Sequence, residues 1–159
     1  MKVMKFGGTS VGSADRIKDV ASLITGRGQN IVVLSAMSGT TNTLVEISDY
    51  LRKRNINGAK QILNSLEKKY STTISMLFTE VDYRMEADEE IRAIFSHIRS
   101  LCHDGFSEID EKEILAQGEL MSTTLMYLYL QERVVAAAFI PSLVYMRIDH
   151  DGDDDTEYN

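Results

Sequence analysis

Residues Met4–Ser13 read MKFGGTSVGS, and the stretch Ile31–Leu34 that follows eighteen residues later reads IVVL. The first ends a short apolar run, Lys2–Phe6, which reads as a strand, and opens a turn rich in glycine and hydroxyl groups. Such a turn between strand and helix is where oriented backbone N–H groups meet an anion. After it, Ile17, Val20, Ala21 and Ile24 recur at i, i+3, i+4 and i+7, the apolar face of a helix. Ser13 is the expected N-cap, and Gly26 and Gly28 are the stop signals. The branched run Ile31–Leu34 is expected as a strand buried on both faces of a parallel sheet. Parallel pairing needs a crossover, and residues 13–27 supply one of suitable length. The opening is therefore β-α-β.

Working outward, the turn Ser35–Asn42 leads into a helix marked by Leu44, Ile47, Ser48 and Leu51. Ile62, Leu66, Tyr70, Ile74 and Leu77 keep a four-residue rhythm after Gly58. Ile91, Ile94, Phe95, Ile98, Leu101 and Cys102 form a second stripe, and a further helix covers much of residues 111–132 with Gly118-Glu119 inside it or near its start. Val134–Ile140, VVAAAFI, is expected as a third buried strand stopped by Pro141. Strands alternating with helices in this order argue for an α/β fold.

Composition narrows the function classes. The chain has 159 residues, 43% hydrophobic and 26% charged, as one globular domain would. It has no apolar run long enough to span a bilayer and no apolar signal segment at its start, so no membrane partner is expected. The single cysteine, Cys102, excludes an internal disulfide and fits a reducing, cytoplasmic setting. It belongs to the Ile91–Cys102 stripe and so reads as a packed thiol. His97 and His103 lack metal-site spacing, and no metal ligands are assigned. The net charge of −7 argues against nucleic-acid partners. Residues 149–159 hold six acidic residues and no Lys or Arg; removing them leaves −1 for the body. That segment reads as a disordered acidic tail, since its spacing misses that of a calcium loop. The expected division is a domain at 1–148 and the tail at 149–159.

The glycine turn is neither of the two common phosphate loops. A Walker A loop places lysine after its second glycine, where Ser13 stands here, and the dinucleotide pattern fails because Gly7 and Gly8 are adjacent. Lys5 instead sits on the strand before the glycines. Taken by themselves these residues leave phosphate binding and a plain tight turn as equal alternatives.

Four segments together resemble the aspartate kinases of the amino-acid kinase family. KFGGTSVGS (5–13) resembles their signature, VVLSAMSGTTNTLV (32–45) their second strand and substrate turn, LAQGELMSTTL (115–125) their helix with a Gly-Glu pair, and YMRIDHD (145–151) their Met-Arg-Thr-Asp segment. Their order matches and they span nearly the whole chain. The resemblance implies a three-layer α/β/α sandwich with a mainly parallel sheet, incomplete here, of which the chain forms the substrate-binding half. It implies transfer of the γ-phosphoryl group of ATP to the side-chain carboxylate of L-aspartate, the entry to lysine, threonine and methionine synthesis. Lys5 is the implied catalytic charge, and Lys5, Phe6, Gly7 and Gly8 the implied nucleotide contacts. Ser35, Thr41, Glu119 and Arg147 are the implied substrate residues, Glu119 for the α-ammonium and Arg147 for the α-carboxylate. Ile148 departs from the threonine of the family pattern. The family's second half, with its glycine-rich stretch and most contacts to ATP and Mg²⁺, has no counterpart in these 159 residues, so the chain by itself is expected to be inactive. An exposed sheet edge is expected to promote homodimers or other self-association. Two alternatives are another amino-acid kinase with a different acceptor, and a non-catalytic binding or assembly module.

Overall fold

The computed structural model describes residues 1–26 and 28–141. Strand β1 (Lys2–Phe6) enters a short 3-10 turn (Gly8–Val11) and then helix α1 (Ala14–Ile24). Ser13 caps α1 as expected, its hydroxyl accepting the Arg16 N–H at 3.4 Å. Strand β2 (Asn30–Leu34) pairs with β1 in parallel, from Lys2 opposite Asn30 to Phe6 opposite Leu34. Four further helices follow: α2 (Thr40–Arg52), α3 (Ile56–Leu77), α4 (Val81–Ser100) and α5 (Glu108–Glu132). The α/β order and the parallel sheet are those the sequence predicts.

The helices begin where local chemistry allows. Asn55 opens α3 by accepting the Gly58 N–H at 2.9 Å, so Gly58 lies inside the first turn of that helix. Ser107 opens α5 with a reciprocal box: its hydroxyl accepts the Asp110 N–H while the Asp110 carboxylate accepts the Ser107 N–H. Helix α4 has no such residue of its own. Its start is held instead by the Glu132 carboxylate from the far end of α5, which accepts the N–H groups of Thr79 (2.8 Å) and Glu80 (2.7 Å).

One continuous core joins all five helices to one face of the sheet. Met4, Phe6 and Val32 pack against it and Leu34 is buried in it. Tyr70 of α3 meets Phe95 of α4 edge-on at 5.7 Å. Cys102 is buried, its thiol pushed up by that burial, and its Sγ lies 3.3 Å from the Ile98 carbonyl. It is the packed thiol the stripe predicts. His97 and His103 are exposed on the surface, as their spacing suggests. No described helix is long and apolar enough to cross a membrane.

Two expectations need correction. The run Ile31–Leu34 is not buried on both faces: Ile31 and Val33, with Val3 across from Ile31, stay exposed on the face away from the helices. Among the described residues, the sheet and the helices on its one side form two layers. Second, Val134–Ile140 is not a strand. Val134 and Val135 are used instead to end α5: Val134 N–H donates to the Gln131 carbonyl and Val135 N–H to the Leu130 carbonyl, both at 2.9 Å. This is a Schellman closure, with Val134 at φ 56° in the position that glycine usually fills. Backbone groups spent on a helix end cannot also serve a sheet ladder. Val134 is left 92% exposed.

Candidate functional site

Both strands point their C-terminal ends at the same place, so the glycine turn after β1 and the Ser35–Gly39 turn after β2 meet there. Ser35 N–H donates to the Phe6 carbonyl (3.0 Å) and Ser38 N–H to the Gly8 carbonyl (3.1 Å). The approach is close enough to demand glycine at position 8, where a Cβ would stand 2.7 Å from the Ala36 carbonyl oxygen. Gly8 is therefore required by the contact between the two turns. Around the Cβ position of Gly7, by contrast, nothing lies within 4 Å, which leaves open space beside its backbone.

The central helix α5 closes the site from the side. Its Gly118 rides against the second turn, a Cβ there falling 2.9 Å from the Ala36 methyl. That contact brings Glu119, half-buried, to the Ala36 N–H, which donates to its Oε1 at 3.4 Å. One helical turn later the Ser122 hydroxyl donates to the Ser35 carbonyl at 2.8 Å. Thr41 lies exposed in the first turn of α2, next to the buried Thr40. Under this layer Tyr70 is fully buried, and its hydroxyl sits 3.1 Å from Thr40 Oγ1. Burial, reinforced by the nearby Glu119 charge and opposed by the Thr40 hydrogen bond, pushes the Tyr70 phenol up to about 12. It stays neutral at any ordinary pH.

The residues read from the sequence thus fall into two groups. Gly7, Gly8, Ser35 and Glu119 come together at the strand ends, and Thr41 stands exposed in the first turn of α2, just after the same turn. Lys5 is at the same end of the sheet but on its uncovered face, exposed beside Val33. Phe6 packs its side chain into the core, so only its backbone faces the turn. Arg147 and the tail at 149–159 lie outside the described residues. Lys69 of α3, which the sequence does not single out, donates to the Ser38 carbonyl at 2.7 Å. Tyr70 also escapes a reading by motif, since a tyrosine in an apolar stripe carries no signal of its partner, and Ser122, although inside the 115–125 segment, is given no role by it.

Among the described residues no group of three or more His, Cys, Asp or Glu is positioned to hold a metal ion.

Known proteins resemble this chain over most of its length. The chain is 31% identical over 131 residues to the aspartokinase of Chlamydia trachomatis, covering 80% of this chain and 27% of that protein. Aspartokinase III of E. coli, solved in complex with lysine and aspartate, superposes with a TM-score of 0.60 at 29% identity, over 86% of this chain and 30% of that one. The same enzyme in complex with aspartate and ADP gives 0.59 at 29% identity, over 84% and 29%. The chain thus spans less than a third of the length of these relatives. The model of the amino acid kinase family matches residues 1–156, nearly the full length, and the chain belongs to that family.

Proposed function

We propose that the chain serves the phosphorylation of L-aspartate on its β-carboxylate, with ATP as donor and 4-phospho-L-aspartate as product, at the entry to lysine, threonine and methionine synthesis. The observation that carries this reading is Glu119, a half-buried carboxylate set against the Ser35–Thr41 turn at the ends of two parallel strands. An anion held there suits an α-ammonium, and the hydroxyls of Ser35 and Thr41, at the two ends of that turn, suit a carboxylate. Uncharged donors orient the reacting carboxylate without removing its nucleophilicity. Arg147 is assigned to the α-carboxylate, from its place in the family motif.

ATP supplies the phosphoryl group. This chain supplies the Lys5 ammonium and the N–H groups of Gly7 and Gly8, which answer the charge on the transferred oxygens. We assign Mg²⁺ to the nucleotide, whose contacts lie mostly in the family's second half. We therefore assign these residues acceptor binding rather than turnover by themselves, with 1–148 as the binding unit. The reading places the chain in the cytoplasm, without nucleic-acid or membrane partners. Self-association, most simply as a homodimer, is supported by the exposed Val3, Ile31 and Val33 on the open sheet face.

Calorimetric titration of the 159-residue chain tests this. L-Aspartate should bind, and succinate, which lacks the ammonium, should bind far more weakly. Glu119→Gln should cost aspartate about 1.5–3 kcal/mol, the worth of a charged hydrogen bond, and leave succinate almost unchanged. A mutant that still prefers aspartate as strongly as the wild type would remove Glu119 from the site.

A further inference from the structure

Helix α3 gives two consecutive residues to the turn that follows β2, and they grip it from opposite sides. Tyr70, fully buried, reaches Thr40 Oγ1 from within at 3.1 Å. Lys69, exposed on the surface, reaches the Ser38 carbonyl from outside at 2.7 Å. Between these two contacts lies Gly39, at φ 80°, where a Cβ would come 3.8 Å from the Lys69 ammonium. Ser38 is meanwhile bound on its other side, its N–H donating to the Gly8 carbonyl at 3.1 Å. One residue is thus tied to the glycine turn through its N–H and to α3 through its carbonyl.

From this geometry we propose that Lys69 and Tyr70 are positioning residues, a clamp by which α3 fixes the Ser38–Thr41 turn against Gly7 and Gly8. The proposal rests on the acceptor reading above, because it makes α3 set the distance between the acceptor's hydroxyl partners and the phosphate side. The physics favours such a device. In-line transfer depends on placement more than on covalent help, and a displacement of about 1 Å can cost on the order of 10²-fold. A turn with a left-handed glycine at its centre does not hold one geometry by itself. A charged donor on a carbonyl and a buried hydroxyl pair supply the missing constraint, and neither touches the acceptor.

The test uses the 159-residue chain with Lys69→Met, Lys69→Arg and Tyr70→Phe, followed by amide hydrogen exchange and by calorimetry with L-aspartate. Lys69→Met should speed exchange at the Ser38 and Thr40 amides roughly tenfold, leave the helical fold of α1 intact, and weaken aspartate binding by a similar factor, with the global unfolding equilibrium shifted by no more than that same factor. Lys69→Arg keeps a charged donor and should restore both. Tyr70→Phe should act in the same direction, with a lowered urea midpoint. Unchanged exchange at Ser38 and Thr40 in Lys69→Met overturns the clamp, as does faster exchange with full affinity, or an arginine that rescues neither. A wild-type chain with no affinity for L-aspartate overturns the acceptor reading instead, and the exchange rates then decide the clamp by themselves.

Discussion

Substituting alanine at Gly118 should reveal how tightly α5 is pressed against the turn after β2. An added Cβ would stand 2.9 Å from the Ala36 methyl, where ordinary contact begins at 3.4 Å, so one of the two must give by about 0.5 Å. Its other neighbours, Leu44 Cδ1 at 3.4 Å and Thr40 Cγ2 at 3.6 Å, are within ordinary contact and resist nothing. A methyl on the backbone has no rotamer through which to retreat. Overpacking of this kind costs about 1–3 kcal/mol. Against it, alanine in a helix interior is worth about 0.8–1.0 kcal/mol over glycine. The single mutant should therefore lose between about 0 and 2 kcal/mol. Ala36→Gly alone forfeits a buried methyl, about 0.8 kcal/mol, and frees the unfolded chain by about 0.4–1 kcal/mol. With both changes the clash is gone while the helix gain stays, so the double mutant should lose only about 0.2–1 kcal/mol. Urea unfolding of the four proteins at a common slope closes the cycle, and the expected coupling is about 1–3 kcal/mol in favour of the double mutant. Losses that simply add, within about 0.5 kcal/mol, would show that the Gly118–Ala36 contact does not press as described.

Two further outcomes follow from the ends of α5. Val134→Gly should stabilise the chain by about 0.5–1 kcal/mol, because it relieves about 1–2 kcal/mol of left-handed strain at a side chain that is almost fully exposed, less the entropy of a glycine; an unchanged or lower thermal midpoint would contradict the strain at φ 56°. At the other end, hydrogen bonds from the Ser107 hydroxyl and N–H hold the Asp110 carboxyl below its ordinary 3.8. A lowered folded value gives stability that is present above the unfolded pKa and lost as pH falls through the folded one. Acid titration should therefore show a loss of stability below pH 3.8 that is absent in Asp110→Asn, and identical acid profiles would refute the cap.

The readings that succeeded were local ones. Ser13 and the Ile17–Ile24 stripe specify α1 because a cap and a periodic face act within a few residues of each other. With α1 in place, Lys2–Phe6 and Ile31–Leu34 have no other pairing than parallel. The convergence of Gly8, Ser35, Thr41 and Glu119 was legible only through the four motifs, since no spacing rule connects residue 119 to residue 35. Helix α5 was read with its end at 132 correct and its start three residues late, at 111 instead of Glu108; it is central, and burying Met126 and Leu130 opposite the Ile114–Leu128 face leaves it without the single stripe that marks a surface helix.

What the sequence determined by itself was the identity and order of the elements from β1 to α5 and the residue types offered at the strand ends, because propensity, capping and periodicity are short-range. Only the tertiary structure decided which groups meet. Val134 and Val135 carry every mark of a strand, yet the carbonyls of Leu130 and Gln131 claim their N–H groups. The start of α4 is capped by a carboxylate 52 residues beyond Glu80, at Glu132. Lys69 and Tyr70, neighbours in one helix, part to the surface and the core and close again on one turn. Each of these pairings is fixed by where packed helices bring a donor to an acceptor, and that distance is a property of the assembled core.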